Sequence, residues 1–189
     1  MSWEHFCDLH EIDESYRHCS EEDYKKINTN FFIEANKWYQ VKKGTLLLHG
    51  ETGTGKTHLS ILLLKKEYLR WESFFKRKNI HMPVPVRFLH AKNIGEQYER
   101  HKGCSSFASL LGETEFLVID DLGIRQRYPS DNEIFFGIFD KRFNKRKPTI
   151  VTSNLSISEL AKDLHARTID RMLAHELNMG GKSVRKIFT

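Results

Sequence analysis

No stretch of eighteen apolar residues occurs in this sequence, which excludes a membrane-spanning helix and argues against a membrane partner. Cysteine is scarce. Cys7, Cys19 and Cys104 are too few and too scattered for a disulfide framework, so a reducing compartment fits. Met1-Ser2-Trp3-Glu4-His5 lacks the basic-then-apolar form of a signal peptide, and the expected location is cytoplasmic. There is no C-x2-C pair. His5, Cys7, His10, His18 and Cys19 are soft-metal ligand types, but their irregular spacing argues against zinc. No internal repeat or low-complexity segment is evident. Charge is only mildly one-sided: 30 Lys and Arg against 25 Asp and Glu give +5, which permits a nucleic-acid partner without establishing one. At 189 residues, one domain is the default.

The sequence does carry a full match to G-x-x-x-x-G-K-[ST]. Residues 50–57 read Gly50-Glu51-Thr52-Gly53-Thr54-Gly55-Lys56-Thr57. The apolar run Thr45–His49 before it suits a buried strand, and Leu59 to Phe75 after it has helical spacing. Strand, glycine loop and helix together let backbone N–H groups at a helix N-terminus cradle a polyphosphate. Gly50, Gly53 and Gly55 permit positive-φ turns and close approach to phosphate oxygens. Lys56 is the candidate cation for the β- and γ-phosphates of ATP. Thr57 is the candidate hydroxyl ligand of Mg²⁺.

Two further segments support this reading. Phe116-Leu117-Val118-Ile119-Asp120-Asp121 is an apolar strand ending in two carboxylates, at the sheet edge where α/β proteins bind ligands. Asp120 is the candidate Walker B acid, holding Mg²⁺ through water. Asp121 is placed to orient or deprotonate the attacking water. Thr149 to Asn154 is a β-branched strand with a polar end. Asn154 is a candidate to hold that water or the γ-phosphate, the sensor 1 role, or else a turn or cap residue. Ser156 and Ser158 are candidate caps for the helix carrying Glu159 and Leu160.

The set GETGTGKTHL, FLVIDDLG, KRKPTIVTSNL and RTIDRML, in that order, resembles the AAA+ ATPase domain of DnaC-type helicase loaders and the related IstB-type transposition ATPases. The resemblance runs from about Tyr16 to Arg185. Gly181-Lys182-Ser183-Val184-Arg185 is similar to the Gly-x-Ser-x-Arg ending of that family. It implies a three-layer α/β/α P-loop fold with a five-stranded parallel sheet and no C-terminal helical lid. Residues 1–40 then form a strap and helix, and 41–189 the ATPase core. It also implies that the strap packs near the adenine, with Tyr16 and His58 beside the nucleotide. Arg171 implies an arginine finger acting on a neighbouring subunit, and Arg167 a nucleotide-responsive neighbour four residues away. The expected partners are a hexameric replicative helicase, single-stranded DNA and further copies of the chain. A transposase-delivering helper and a nucleotide-gated adaptor are the alternatives. Asp121 stands where many AAA+ enzymes have Glu, and weak basal hydrolysis is expected.

Elsewhere, a helix is expected from Glu22 to Tyr39, with Ile27, Phe31, Phe32, Ala35 and Trp38 on one face. Glu72 to Pro85 reads as a basic, aromatic loop or insertion, followed by a strand over Pro85–His90. Helices are expected over Asn93–His101, Gly103–Gly112, Asp131–Asn144 and Leu164–Leu173. The apolar stripe of the third includes Phe143, and that of the last includes Ile169, Met172 and Leu173. Two basic groups are candidates for DNA contact: Lys92, Arg100 and Lys102, with Tyr98 or Phe107 to stack on bases; and Lys141, Arg142, Lys145, Arg146 and Lys147. For the second group, capping of a helix C-terminus is the preferred reading.

Overall fold

The computed structural model describes residues 1–100, 104–123 and 131–180, with only the backbone at 104–106. The C-terminal Gly181–Arg185 motif and Lys102 lie outside the described residues. Five strands form one parallel sheet: β1 (Thr45–His49), β2 (Val86–His90), β3 (Phe116–Asp120), β4 (Thr149–Ser153) and β5 (His175–Asn178). Their order is β2-β3-β4-β1-β5. The three central strands are buried at every position, which is why they read as unbroken apolar or β-branched runs. β5 is different. His175-Glu176-Leu177-Asn178 has no strand-like composition, and it becomes a strand by pairing with β1 along the exposed edge.

The helices are α1 (Trp3–Leu9), α2 (Glu14–Arg17), α3 (Glu21–Val41), α4 (Lys56–Lys78), α5 (Ile94–Arg100), α6 (Cys104–Glu113), α7 (Asp131–Asn144), α8 (Ile157–Asp163) and α9 (Ala166–Met172). They cover both faces of the sheet. On one face Trp3, Phe6, Phe32, Trp38 and Tyr68 share a core with Leu46, Leu48, Phe116 and Val118. On the other Ile134, Ile138, Phe139, Leu160 and Met172 pack on Leu47, Leu117, Ile119 and Val151. The N-terminal segment therefore shares its core with the sheet. Cys7 and Cys19 are buried there, and burial pushes their thiols up to about 11 and about 12. Among the described residues, no group of three His, Cys, Asp or Glu could hold a metal, and no helix is long and apolar enough to cross a membrane.

Several local expectations are corrected. α3 is broken at Asn28 (φ −157°, ψ 95°), whose side chain accepts from the Phe31 N–H and so restarts the helix. The segment from Glu72, expected as a loop or insertion, begins as helix, and α4 runs past the expected Phe75. It continues to Lys78 and ends in a Schellman turn, with Asn79 at φ 53° and the Ile80 N–H donating to Phe75 O. Phe143 (46% exposed) and Leu173 (42%) lie outside the core, because each sits in the last turn or just past the end of its helix.

Candidate ATP site

The C-terminal ends of β1, β3 and β4 meet at one cavity of about 500 Å³. Its size suits a small-molecule ligand. The loop after β1 supplies Thr52, Gly53, Gly55, Lys56 and Thr57 to its wall. Gly50, Gly53 and Gly55 have φ of 136°, 86° and 90°, as the motif requires. At Gly50 a Cβ would come within 2.7 Å of the Met179 carbonyl oxygen, so no other residue fits there without moving β5. Thr54 Oγ1 donates to Glu51 O at 2.9 Å and closes the loop on itself. Lys56 is buried, and its ammonium donates to the carbonyls of Gly50 (2.8 Å) and Glu51 (2.7 Å).

Opposite the loop, Asp120 is only 3% exposed and accepts from both Thr57 Oγ1 (2.9 Å) and Thr152 Oγ1 (2.7 Å) on one oxygen. Its other oxygen lies 3.5 Å from His90 Nδ1. That hydrogen bond holds the imidazole above its ordinary pKa, against the effect of burial. Asp121 has φ 58°, a left-handed conformation that Asp and Asn tolerate better than other side-chain-bearing residues. Its N–H donates to Thr152 Oγ1 at 2.9 Å, and its Oδ1 accepts from Asn154 Nδ2 at 3.3 Å. Burial, then the charge of Asp120, pushes the Asp121 carboxyl above the usual carboxylate range, offset in part by Lys56.

The sequence-predicted residues Lys56, Thr57, Asp120, Asp121 and Asn154 are thus brought together. Tyr16 and His58 join them, their rings edge to face at 5.6 Å. Burial pulls His58 down to about 4, so its ring is neutral. Arg167 and Arg171 do not line the cavity. Arg167 is exposed over the Phe136 ring at 5.3 Å. Arg171 donates to Asp140 (3.0 Å) and Asp170 (2.8 Å) and lies 4.7 Å from the Phe143 ring centre. Two residues went unremarked in the sequence. Thr152 ties Asp120 to Asp121 from the neighbouring strand, and His90 reaches Asp120 from β2, with which it is in register. Both pairings are set by strand order.

The basic groups proposed for DNA contact are largely engaged. Arg142 is 1% exposed and donates to Thr149 Oγ1 and to the carbonyls of Leu111, Thr114 and Pro148. Lys145 pairs with Glu113, Lys147 with Glu115, and Lys141 bonds Ser109. Arg100 pairs with Glu96 one turn back. Phe107 is buried and cannot stack on a base, while Lys92 remains exposed beside β2.

The family described as IstB-like ATP binding protein matches residues 4–187. The replicative helicase loader DnaC of Escherichia coli strain K12 is 25% identical over 165 residues, which are 83% of this chain and 64% of that protein. The chain therefore spans less than two-thirds of that relative's length. In fold it is similar to the crystal structure of the DnaC helicase loader, with a TM-score of 0.60, 20% identity, and 82% and 90% of the two chains covered. It is also similar to the replication initiator DnaA bound to AMPPCP and single-stranded DNA, with a TM-score of 0.62, 17% identity, and 84% and 47% covered. These likenesses show a shared fold, a five-stranded parallel sheet flanked by helices on both faces.

Proposed function

Since the chain belongs to the IstB-like ATP-binding family, of AAA+ type and similar to DnaC, we propose that it binds and hydrolyses ATP as a loader of a replicative helicase. One observation carries the ATPase reading: Thr57 and Thr152 converge on Asp120, while Asn154 bonds Asp121, all at the mouth of the glycine loop. In this reading residues 50–58 hold the nucleotide, and Lys56 turns from the loop carbonyls to the β- and γ-phosphates. Tyr16 and His58 flank the adenine.

Thr57 and Asp120 suit Mg²⁺, since a hydroxyl and a carboxylate oxygen 2.9 Å apart are hard donors and this ion keeps several waters. When bound, Mg²⁺ supplies charge neutralisation at the phosphates. Asp121 takes the proton of the attacking water, and Asn154 orients that water. Arg171 and Arg167 act on the nucleotide of an adjoining copy, which fits their position outside the cavity of their own chain. Single-stranded DNA and a hexameric helicase are the proposed partners. The family description favours a second reading, an IstB-type helper that delivers a transposase to DNA. Pull-down of a hexameric helicase against a transposase separates the two.

Lys56→Ala tests the nucleotide site. It removes the cation while leaving the strands intact, so ATP affinity should fall sharply with an unchanged circular-dichroism spectrum. Wild-type affinity in a folded variant removes the assignment.

A further inference from the structure

α4 is longer than the sheet it packs on. Twenty-three residues rise about 35 Å, whereas a five-residue strand spans about 17 Å. The helix starts at the glycine loop, so its far end overshoots the opposite edge of the sheet, away from the ATP site. Burial follows this arithmetic. The last buried residue of α4 is Tyr68, and none from Leu69 to Lys78 is buried.

The projecting end combines cations with aromatic rings. Arg70, Phe74 and Arg77 recur at spacings of four and three and share one face. Lys78 flanks Phe74 on the same side. Phe74 is 36% exposed and leans on Trp71 and Phe75, with ring centres 5.7 and 5.8 Å away. Arg70 is tied to Glu67 and lies 4.8 Å from the Trp71 ring centre, yet its side chain remains half exposed. Among the described residues Arg77 and Lys78 are exposed and take part in no ion pair. They contrast with Arg142, Lys145, Lys147 and Arg100, whose charges are engaged inside the chain.

We propose that this end of α4 is a binding site for single-stranded DNA, with Arg77 and Lys78 on phosphates and Phe74 under a base. The inference rests on the reading that the chain contacts single-stranded DNA, and it assigns that contact to residues far from the ATP site. An exposed ring flanked by free cations is the combination that holds unpaired bases without reading their sequence. A duplex offers no free base face to Phe74.

The test is fluorescence anisotropy of a labelled oligothymidylate of about twenty nucleotides, titrated with the full chain at several salt concentrations. Arg77→Gln with Lys78→Gln should weaken binding and reduce the log–log salt slope by about 1.4, from roughly 0.7 per lost phosphate contact. Phe74→Ala should weaken binding about tenfold with the slope unchanged. Arg100→Ala should bind like wild type. All variants should keep ATP affinity and helical circular dichroism, since none touches the cavity. Wild-type binding by both α4 variants overturns the proposal, as does loss of binding in Arg100→Ala alone. Equal affinity for duplex, with no effect of Phe74→Ala, overturns it in favour of a general polyanion surface. If the wild-type chain binds no oligothymidylate, the underlying DNA reading falls along with this site.

Discussion

Asp121 shows how backbone geometry constrains chemistry at a single residue. It sits at φ 58°, where Asp is tolerated and a longer carboxylate has no local hydrogen bond to offset the strain. The shorter acid thus suits this turn even though many AAA+ enzymes carry Glu there. Burial and the neighbouring Asp120 raise its pKa, and a base with a raised pKa loses activity at a higher pH than an ordinary carboxylate. The ATPase rate should therefore fall with acidification through a limb above the usual Asp range, and Asp121→Asn should retain ATP binding but lose turnover. Stability should move the other way. The raised pKa means that the folded state prefers the protonated form, so the stabilising contribution is present at low pH and lost as pH rises through the folded pKa. Asn imitates the neutral acid and tolerates the same φ. Asp121→Asn should melt higher than wild type near neutral pH and at the same temperature below the ordinary Asp pKa. A pH series of melting curves and rates checks both halves. Wild-type turnover in Asp121→Asn would move the general base elsewhere.

Elements are joined here by a buried cation. Arg142, on α7, donates four hydrogen bonds from its fixed fork, to Leu111 in the last turn of α6, to Thr114 just past it, and to Pro148 and Thr149 at the start of β4, none of them to a carboxylate. Burial pulls the guanidinium down to about 9, which leaves it charged at neutral pH. Arg142→Ala would leave the carbonyls of Leu111, Thr114 and Pro148 short of donors and open a cavity. The expected cost is about 3 kcal/mol or more, measured by urea denaturation. A loss under about 1 kcal/mol would mean that water replaces the guanidinium without penalty. The same scale explains the helix ends. Ser156 caps α8 in a full capping box with Glu159, which the S-x-x-E spacing already announces. The end of α4 carries its own signal, three cations followed by Asn79, but the aromatic and proline-rich sequence around it reads as a loop.

For the whole molecule, the decisive residue is one that its own cavity does not use. Arg171 is held by Asp140 and Asp170 and stacked near Phe143, on the α7–α9 face. If it serves an adjoining copy, mixed oligomers should complement. Lys56→Ala protein supplies an intact Arg171, and Arg171→Ala protein supplies an intact glycine loop. Mixing the two should restore part of the turnover that each lacks, with a rate that depends on their ratio. Arg171→Ala alone should bind ATP normally and hydrolyse poorly. Co-assembled variants that stay inactive together would leave Arg171 a surface ion pair and remove the main mechanistic argument for an oligomer.

Local pattern determined much of this protein. The G-x-x-x-x-G-K-T run, the unbroken apolar strands β1, β3 and β4, and the paired Asp120 and Asp121 were legible because glycine φ requirements, two-sided burial and carboxylate position are each written within a few adjacent residues. Tertiary structure decided what depends on residues far apart in the chain. β5 is a strand only because β1 presents it a free edge. Thr152 and His90 reach Asp120 only because strand order sets β4 and β2 on either side of β3. Most cations of residues 141–147 are engaged because the end of α6 and the turn before β3 bring Glu113, Glu115 and the Leu111 carbonyl against them. A sequence states which charges exist. Which of them are already neutralised is settled by packing, and here that leaves Arg77 and Lys78 at the end of α4 exposed while most of the richer basic cluster is engaged.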